Sequence, residues 1–260
     1  MNYTAWSRRF ALVAMLAVLA ACAATAPPKT NVSTTAKTVA VLVSVPPQIS
    51  IATSGVTVFE NSYKTAPVPD WHMEQVVLDA ATQALTPRFQ IAYSEASTQF
   101  VDGEAPVELA FEKLNPTETF AKEHIKPGVP VDLIVVVCLN YRLMPEFQGP
   151  IFKGIGVSKL LDFLGVYKPT AHALLSLAII DGKTFKEINS TALGIPPTKA
   201  TEWPSVNSAN YPETQLPGLP VKYHWEDYTP DQQALIRSTI LNLLGTSTTY
   251  TIQTTLGISG

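Results

Sequence analysis

The chain of 260 residues carries 18 basic and 21 acidic side chains, a formal charge of −3, and only 15 % of its residues are charged. That balance excludes a nucleic-acid partner, which calls for a basic excess or stripe that this sequence does not carry. With 46 % apolar residues and 21 prolines, the composition suits a packed body with long ordered loops rather than a disordered chain.

Arg8 and Arg9 come first in chain order as a positive region, and Phe10 to Ala21 follows as an apolar run without a charge. A permanent bilayer helix takes about 20 residues, so this shorter run reads as a cleaved signal over residues 1–21. It closes on Leu19-Ala20-Ala21-Cys22, which resembles the lipobox of bacterial lipoproteins. The resemblance implies recognition of Leu19, Ala20 and Ala21 by the lipoprotein signal peptidase and cleavage before Cys22. It also implies a diacylglyceryl group on the Cys22 thiol and acylation of the new amino terminus. Two or more acyl chains, at about 0.8 kcal/mol per buried methylene, make a stable membrane anchor. Ala23 rather than aspartate follows the cysteine, and by resemblance to lipoprotein sorting signals this implies the outer membrane, facing the periplasm, in preference to the inner membrane.

Residues 22–38 are small and polar with a Pro27-Pro28 pair, and they read as the lipidated cysteine and a tether. Its sixteen residues after the cysteine reach at most about 50–58 Å when extended, and on the order of 20–24 Å as a coil. The remainder, 39–260, reads as a single α/β domain. Val39 to Val45 is a run rich in β-branched residues, apolar on both sides and ended by Pro46-Pro47, the pattern of a central strand covered on both faces. Ile49 to Phe59 reads as a strand or hairpin turning at Ser54-Gly55. Asp70 is the expected N-cap of a helix reaching Leu85, with Met73, Val77, Ala80, Ala81, Ala84 and Leu85 on its buried face and Thr86-Pro87 at its end. Phe89 to Tyr93 then alternates as a short strand.

Val107 to Leu114 reads as a second helix stopped before Pro116, and Val131 to Tyr141 as a second central strand that buries Cys138 as a small apolar side chain. Val157, Leu160, Leu161 and Leu164 keep helical spacing inside the apolar segment 147–168, which predicts a core helix there, with an oligomer or membrane contact as the alternative. Residues 173–191 carry two strands about an Asp181-Gly182 turn, the signal of a tight hairpin. A long Pro-rich loop follows over 195–221. Thr229-Pro230-Asp231-Gln232 is the best helix start in the chain, and the helix is expected to bury Leu235, Ile236, Ile240, Leu243 and Leu244 and to stop at Gly245. Tyr250, Ile252 and Leu256 then alternate as a last strand.

The order predicts an α/β (α+β) fold, a mixed β-sheet covered by helices in one compact domain. From Val39 to about Thr191 this layout is similar to the small α/β domains of envelope lipoproteins, of the curli-secretion subunit or TolB amino-terminal type. Gly154-Ile155-Gly156 and Asp181-Gly182-Lys183-Thr184-Phe185 also resemble stretches of a proteobacterial lipoprotein family. The resemblance implies an assembly or binding role and brings no catalytic residue.

The residues themselves point the same way. The chain contains no His-Glu-x-x-His, Gly-x-Ser-x-Gly, Ser-x-x-Lys, Cys-x-x-Cys or phosphate-loop run, so neither catalytic nor metal residues are assigned and no cofactor is expected. Gly154-Ile155-Gly156 lacks the third glycine of a dinucleotide fingerprint and reads as a flexible turn. His72 lies two positions from both Asp70 and Glu74, and on a helix such positions point apart. The densest polar-aromatic group is Tyr223-His224-Trp225 with Glu226, Asp227 and Tyr228. Together with Trp203 and Tyr211 on the Pro-rich loop it forms a candidate partner surface, with Trp203 and Trp225 pinning the loop to the body as the alternative. The sequence therefore predicts a non-enzymatic, lipid-anchored envelope protein that binds an envelope-protein or cell-wall partner. A homo-oligomeric secretion component and an envelope glycan or peptide hydrolase acting around His224, Glu226 and Asp227 are the alternatives.

Overall fold

A computed structural model describes residues 35–53, 62–98, 116–139, 154–161, 167–194, 212–220 and 222–258. The leader with Leu19, Ala20, Ala21 and Cys22, most of the tether, the Ser54-Gly55 turn, the 107–114 helix and residues 195–211 lie outside them.

Two mixed five-stranded sheets and three helices make up the single α/β domain of the described residues. The first sheet is built on Thr38–Ser44 (β1), which pairs in parallel with both Gln90–Ser97 (β4) and Leu133–Leu139 (β5). Leu175–Asp181 (β8) and Glu187–Ala192 (β9) extend it antiparallel, in the order β4-β1-β5-β8-β9. The unbroken apolar runs follow from this placement. Val39, Val41 and Val43 enter one core with Leu133, Val135 and Val137, while Ala40 and Leu42 enter a second core with Ile134 and Val136 on the opposite face. Both central strands are covered on both sides, as expected, and Cys138 is fully buried.

The smaller core is closed by a helix over Pro116–His124 (α2), whose Phe120 and Ala121 are buried there. Pro116, expected to follow a helix, instead begins one, in keeping with the preference of proline for a first turn whose missing N–H costs nothing. A polar chain fastens α2 to the sheet edge. His124 Nδ1 lies 2.7 Å from Glu95, and Tyr93 donates to the same carboxylate, which pushes the phenol up to about 12.

On the other face lie Met73–Leu85 (α1) and Pro230–Leu256 (α3). The six residues expected on the inner face of α1 are its buried residues. Its start differs from expectation, since Asp70 is not the N-cap. Pro69–Trp71 forms a separate 3-10 turn, and His72 at φ 48 precedes α1 without a capping side chain. The turn is fixed by burial of Trp71 in the core, which local capping preference does not register.

The Thr229 capping box on α3 is present in full, its side chain and that of Gln232 each accepting from the other's backbone. The helix does not stop at Gly245, and no strand follows. It runs on through Leu256 and ends at Gly257, φ 63. Buried Ile236, Ile240, Leu243, Leu244, Ser247, Thr248, Thr251, Ile252 and Leu256 keep three- and four-residue spacing along its whole length. A helical glycine costs only about 1 kcal/mol, less than packing of the last three turns returns. Leu235, expected in the core, is 46 % exposed.

The second sheet contains Gln48–Thr53 (β2), Ser62–Pro67 (β3), Ile155–Leu161 (β6), Tyr167–Ala173 (β7) and Glu213–Gln215 (β10), in the order β10-β7-β6-β2-β3. The core helix expected around Val157, Leu160 and Leu161 is therefore a strand pair, with Ile155 to Leu161 hydrogen-bonded antiparallel to β7. Gly154-Ile155-Gly156 likewise opens β6 and is no flexible turn. Helical spacing over a few residues does not distinguish a helix from a strand buried by long-range pairing. The end of the Pro-rich loop is also structured, because β10 pairs with β7. Ile49, Ile51, Ile155, Val157, Ala171 and Ala173 turn one face of this sheet into the large core, where α3 packs beside α1.

The β8-β9 hairpin is wider than the tight turn expected. Asp181 N donates to the Lys186 carbonyl, and the Asp181 carboxylate accepts from the Lys183 and Thr184 amides and the Thr184 hydroxyl. A Cβ on Gly182 would lie 2.1 Å from the Val131 carbonyl oxygen, so the close approach of the two segments requires glycine there.

Candidate functional site

Tyr223, His224 and Trp225 are the described members of the expected partner surface; Trp203 and Tyr211 lie outside the described residues. Trp225 packs edge-on to Trp71, with ring centroids 5.6 Å apart, and lies 5.9 Å from the ring of Tyr228. Its carbonyl accepts from Gln233, and Tyr228 is buried with its hydroxyl accepting from Lys222 N. Burial raises the Tyr228 phenol above its ordinary value, and the hydrogen bond from Lys222 partly offsets that. Trp225 thus pins the segment to the body. Tyr223 remains 54 % exposed beside it, and His224 Nε2 lies 3.1 Å from Lys64 Nζ on β3. The exposed part of this surface is one aromatic face and one imidazole-ammonium pair.

The face of the second sheet turned away from the large core carries a polar row, partly buried, that sequence reading missed. Glu213 on β10 stands opposite His172 on β7, His172 opposite Gly156 on β6, Gly156 opposite Ser50 on β2, and Ser50 opposite Thr65 on β3. With no side chain at Gly156, Ser50 Oγ reaches to 3.4 Å from His172 Nε2 and donates to the Ile155 carbonyl at 3.2 Å. Ser50 and His172 are 3 % and 1 % exposed. Serine beside imidazole is the composition of an acyl-transfer pair. Here the hydroxyl donates to a carbonyl of the neighbouring strand, so the pair links β2, β6 and β7, and the adjoining half-open depression is lined by Ser50, Tyr63, Thr65 and Gly154. Burial raises the phenol of Tyr63 in the same depression, an effect that its hydrogen bond with Ser50 partly offsets. Protein crowding also raises Glu213, although its side chain still reaches solvent. The signal that could have located the row is Gly156 itself, a glycine inside an apolar stretch, which marks a close backbone approach.

A third constellation marks where the tether ends. The Asp132 carboxylate at the start of β5 accepts from Lys37 N at 2.8 Å, Thr38 N at 3.0 Å and Thr38 Oγ1 at 3.1 Å. Asp132 N donates in return to Thr38. The amides of Lys37 and Thr38 hold the carboxyl below the usual range. A depressed carboxylate stabilises the fold above its unfolded pKa and loses that contribution as pH falls through its folded pKa. Asp132→Ala is therefore expected to speed amide exchange at Lys37 and Thr38 near neutral pH, and the difference from the parent should vanish in acid below the ordinary aspartate range. Equal exchange at neutral pH would contradict the clamp.

Among the described residues, no group of three or more His, Cys, Asp or Glu side chains converges as a metal site, and no helix is long and apolar enough to cross a membrane. No family model and no curated protein matches the chain. Among solved structures, protein XCC0632 from Xanthomonas campestris, of the family described as DUF330, is similar over 89 % of this chain and 88 % of its own, at 12 % identity and a TM-score of 0.37. Lipoprotein GNA1162 from Neisseria meningitidis is similar over 79 % of this chain and 96 % of its own, at 7 % identity and a TM-score of 0.26. Likeness at this level assigns no role to any residue here.

Proposed function

We propose that this chain is a lipid-anchored protein of the cell envelope whose α/β domain faces the periplasm from the outer membrane and serves partner binding or envelope assembly rather than a reaction. The observation that carries the reading is Leu19-Ala20-Ala21-Cys22 closing the apolar run Phe10 to Ala21 behind Arg8 and Arg9. The outer-membrane assignment rests on Ala23. The Asp132 clamp fixes Lys37 and Thr38 to the body, so a chain anchored at Cys22 would join the domain at the start of β1. Partner contact is assigned to Tyr223 and His224, the exposed members of the aromatic segment that Trp225 holds in place.

The test is metabolic labelling with palmitate in the native host. Cys22→Ala should abolish acyl incorporation and leave the precursor uncleaved by the lipoprotein signal peptidase. Label retained in that variant would overturn the anchor.

A further inference from the structure

We infer that α2 is a strap across the first sheet, latched to both of its edge strands and able to come away in acid while the rest of the domain stays folded. The register lines up Tyr93 on β4, Ala40 on β1, Ile134 on β5, Ile180 on β8 and Glu187 on β9 in one row across the sheet. The first turn of α2 meets the β9 end of that row. Glu118 accepts from Glu187 N at 3.0 Å and from Lys186 Nζ at 3.1 Å, and Thr117 donates to the Glu187 carboxylate at 3.2 Å. The last residue of α2 meets the β4 end, where Glu95 takes His124 Nδ1 on one oxygen and the Tyr93 hydroxyl on the other. Five strands about 4.8 Å apart set the two edges about 19 Å from each other, and the nine residues of the helix cover about 13 Å of that. The side chains at its two ends close the remainder.

A helix this short is not stable by itself, so α2 stays where its contacts hold it. Phe120 and Ala121 pack into the smaller core, and both ends rest on carboxylates. The Tyr93 hydroxyl, with His124 and Lys126 after it, holds Glu95 below the usual glutamate range against the opposing effect of burial. The Glu187 amide, with Lys186 and Lys122 after it, does the same for Glu118. A carboxyl lowered by folding stabilises the fold above its unfolded pKa and stops doing so as pH falls through its folded one. Protonating Glu95 and Glu118 leaves Lys122, His124, Lys126 and Lys186 as the charges around them, with Glu187 the further acid at the β9 end. Helices α1 and α3 are held differently, by apolar packing in the large core on the opposite face, and the same acid leaves that packing in place. Opening therefore uncovers Ala40, Ile134 and Ile180, an apolar row that the closed domain hides.

The test is hydrogen exchange of the full chain, read by mass spectrometry on peptides covering α2, α1 and α3. At neutral pH the double variant Glu95→Gln with Glu118→Gln should exchange about tenfold faster than the parent over 116–124, with α1 and α3 unchanged. Glu123→Gln removes an exposed carboxylate of the same helix and is the control, expected to match the parent. The parent itself supplies a second reading that needs no substitution. Titrated into acid, with each rate normalised to the intrinsic exchange of its peptide at that pH, it should lose protection over 116–124 below the ordinary glutamate range and before α1 or α3 does. Unchanged exchange of α2 in the double variant overturns the latches. Loss of protection in α2 only together with α1 and α3, in the variant or in acid, overturns the strap.

Discussion

Gly156→Ala is expected to be the most damaging single-methyl change in the second sheet. A Cβ at this position would lie 2.0 Å from the Ser50 carbonyl oxygen, 2.4 Å from Ser50 Oγ and 2.7 Å from Ser50 N. Two of these atoms are backbone of a paired strand, so no side-chain rotation relieves the contact. Separating β6 from β2 would break the parallel ladder from Ser50 to Thr53 and pull Ser50 from His172. Overpacking commonly costs about 1–3 kcal/mol, and a backbone clash belongs at or above the top of that range. For a domain stable by about 5–15 kcal/mol this is a large fraction. Urea unfolding followed by circular dichroism should show a much lower midpoint or a largely unfolded variant, and a midpoint within experimental error of the parent would refute the register of the second sheet.

The second large effect is expected at Ile240, which is fully buried on α3 in the core shared with α1 and both sheets. Ile240→Ala should lose about 2–5 kcal/mol through removed apolar contact and the cavity left behind. Leu235→Ala, five positions earlier on the same helix, is the control. At 46 % exposure it should change stability by no more than about 0.5 kcal/mol. The pair also tests the course of α3, because sequence periodicity alone places both leucine and isoleucine inside. Equal losses in the two variants would contradict the observed helix face.

The reading of α3 shows where sequence reasoning reaches and where it stops. Its start was legible because the Thr229-Pro230-Gln232 pattern is local chemistry, satisfied within four residues. Its end was not, because Ser247, Thr248 and Thr251 occupy inner-face positions where an apolar period looks for apolar side chains. The hydroxyls of Ser247 and Thr251 find partners that the sequence does not announce, whereas Thr248 Oγ1 is buried with no hydrogen-bond partner among the described residues. Ser247 Oγ donates to the Leu244 carbonyl, and Thr251 Oγ1 accepts from Gly194 N at 2.8 Å across a chain separation of 57 residues. The central strands were legible for the opposite reason. Burial on two faces removes alternation and leaves the unbroken Val39 to Val43 and Leu133 to Leu139 runs.

The second sheet was the least legible part of the fold. β6 and β7 adjoin in sequence, but β6 also pairs with β2, more than a hundred residues away, and such pairing leaves no local periodicity. The polar row Glu213, His172, Ser50 and Thr65 was invisible for the same reason, since only the register assembles it. The aromatic segment is contiguous in sequence, so its grouping needed no long-range pairing. Tyr223, His224 and Trp225 stand at the surface of the body as a local cluster, although the structure gives Trp225 to packing and leaves exposure to Tyr223 and His224. The clamp of Asp132 on Lys37 and Thr38 was not legible, because it joins residues 94 and 95 positions apart.

The most direct test of the lipid anchor is mass spectrometry of the amino-terminal peptide from protein extracted from host membranes. The account predicts a peptide beginning at Cys22 and carrying diacylglyceryl and amide-linked acyl mass. An intact Met1 terminus in the membrane fraction, or a terminal peptide in which Cys22 is unmodified, would contradict it.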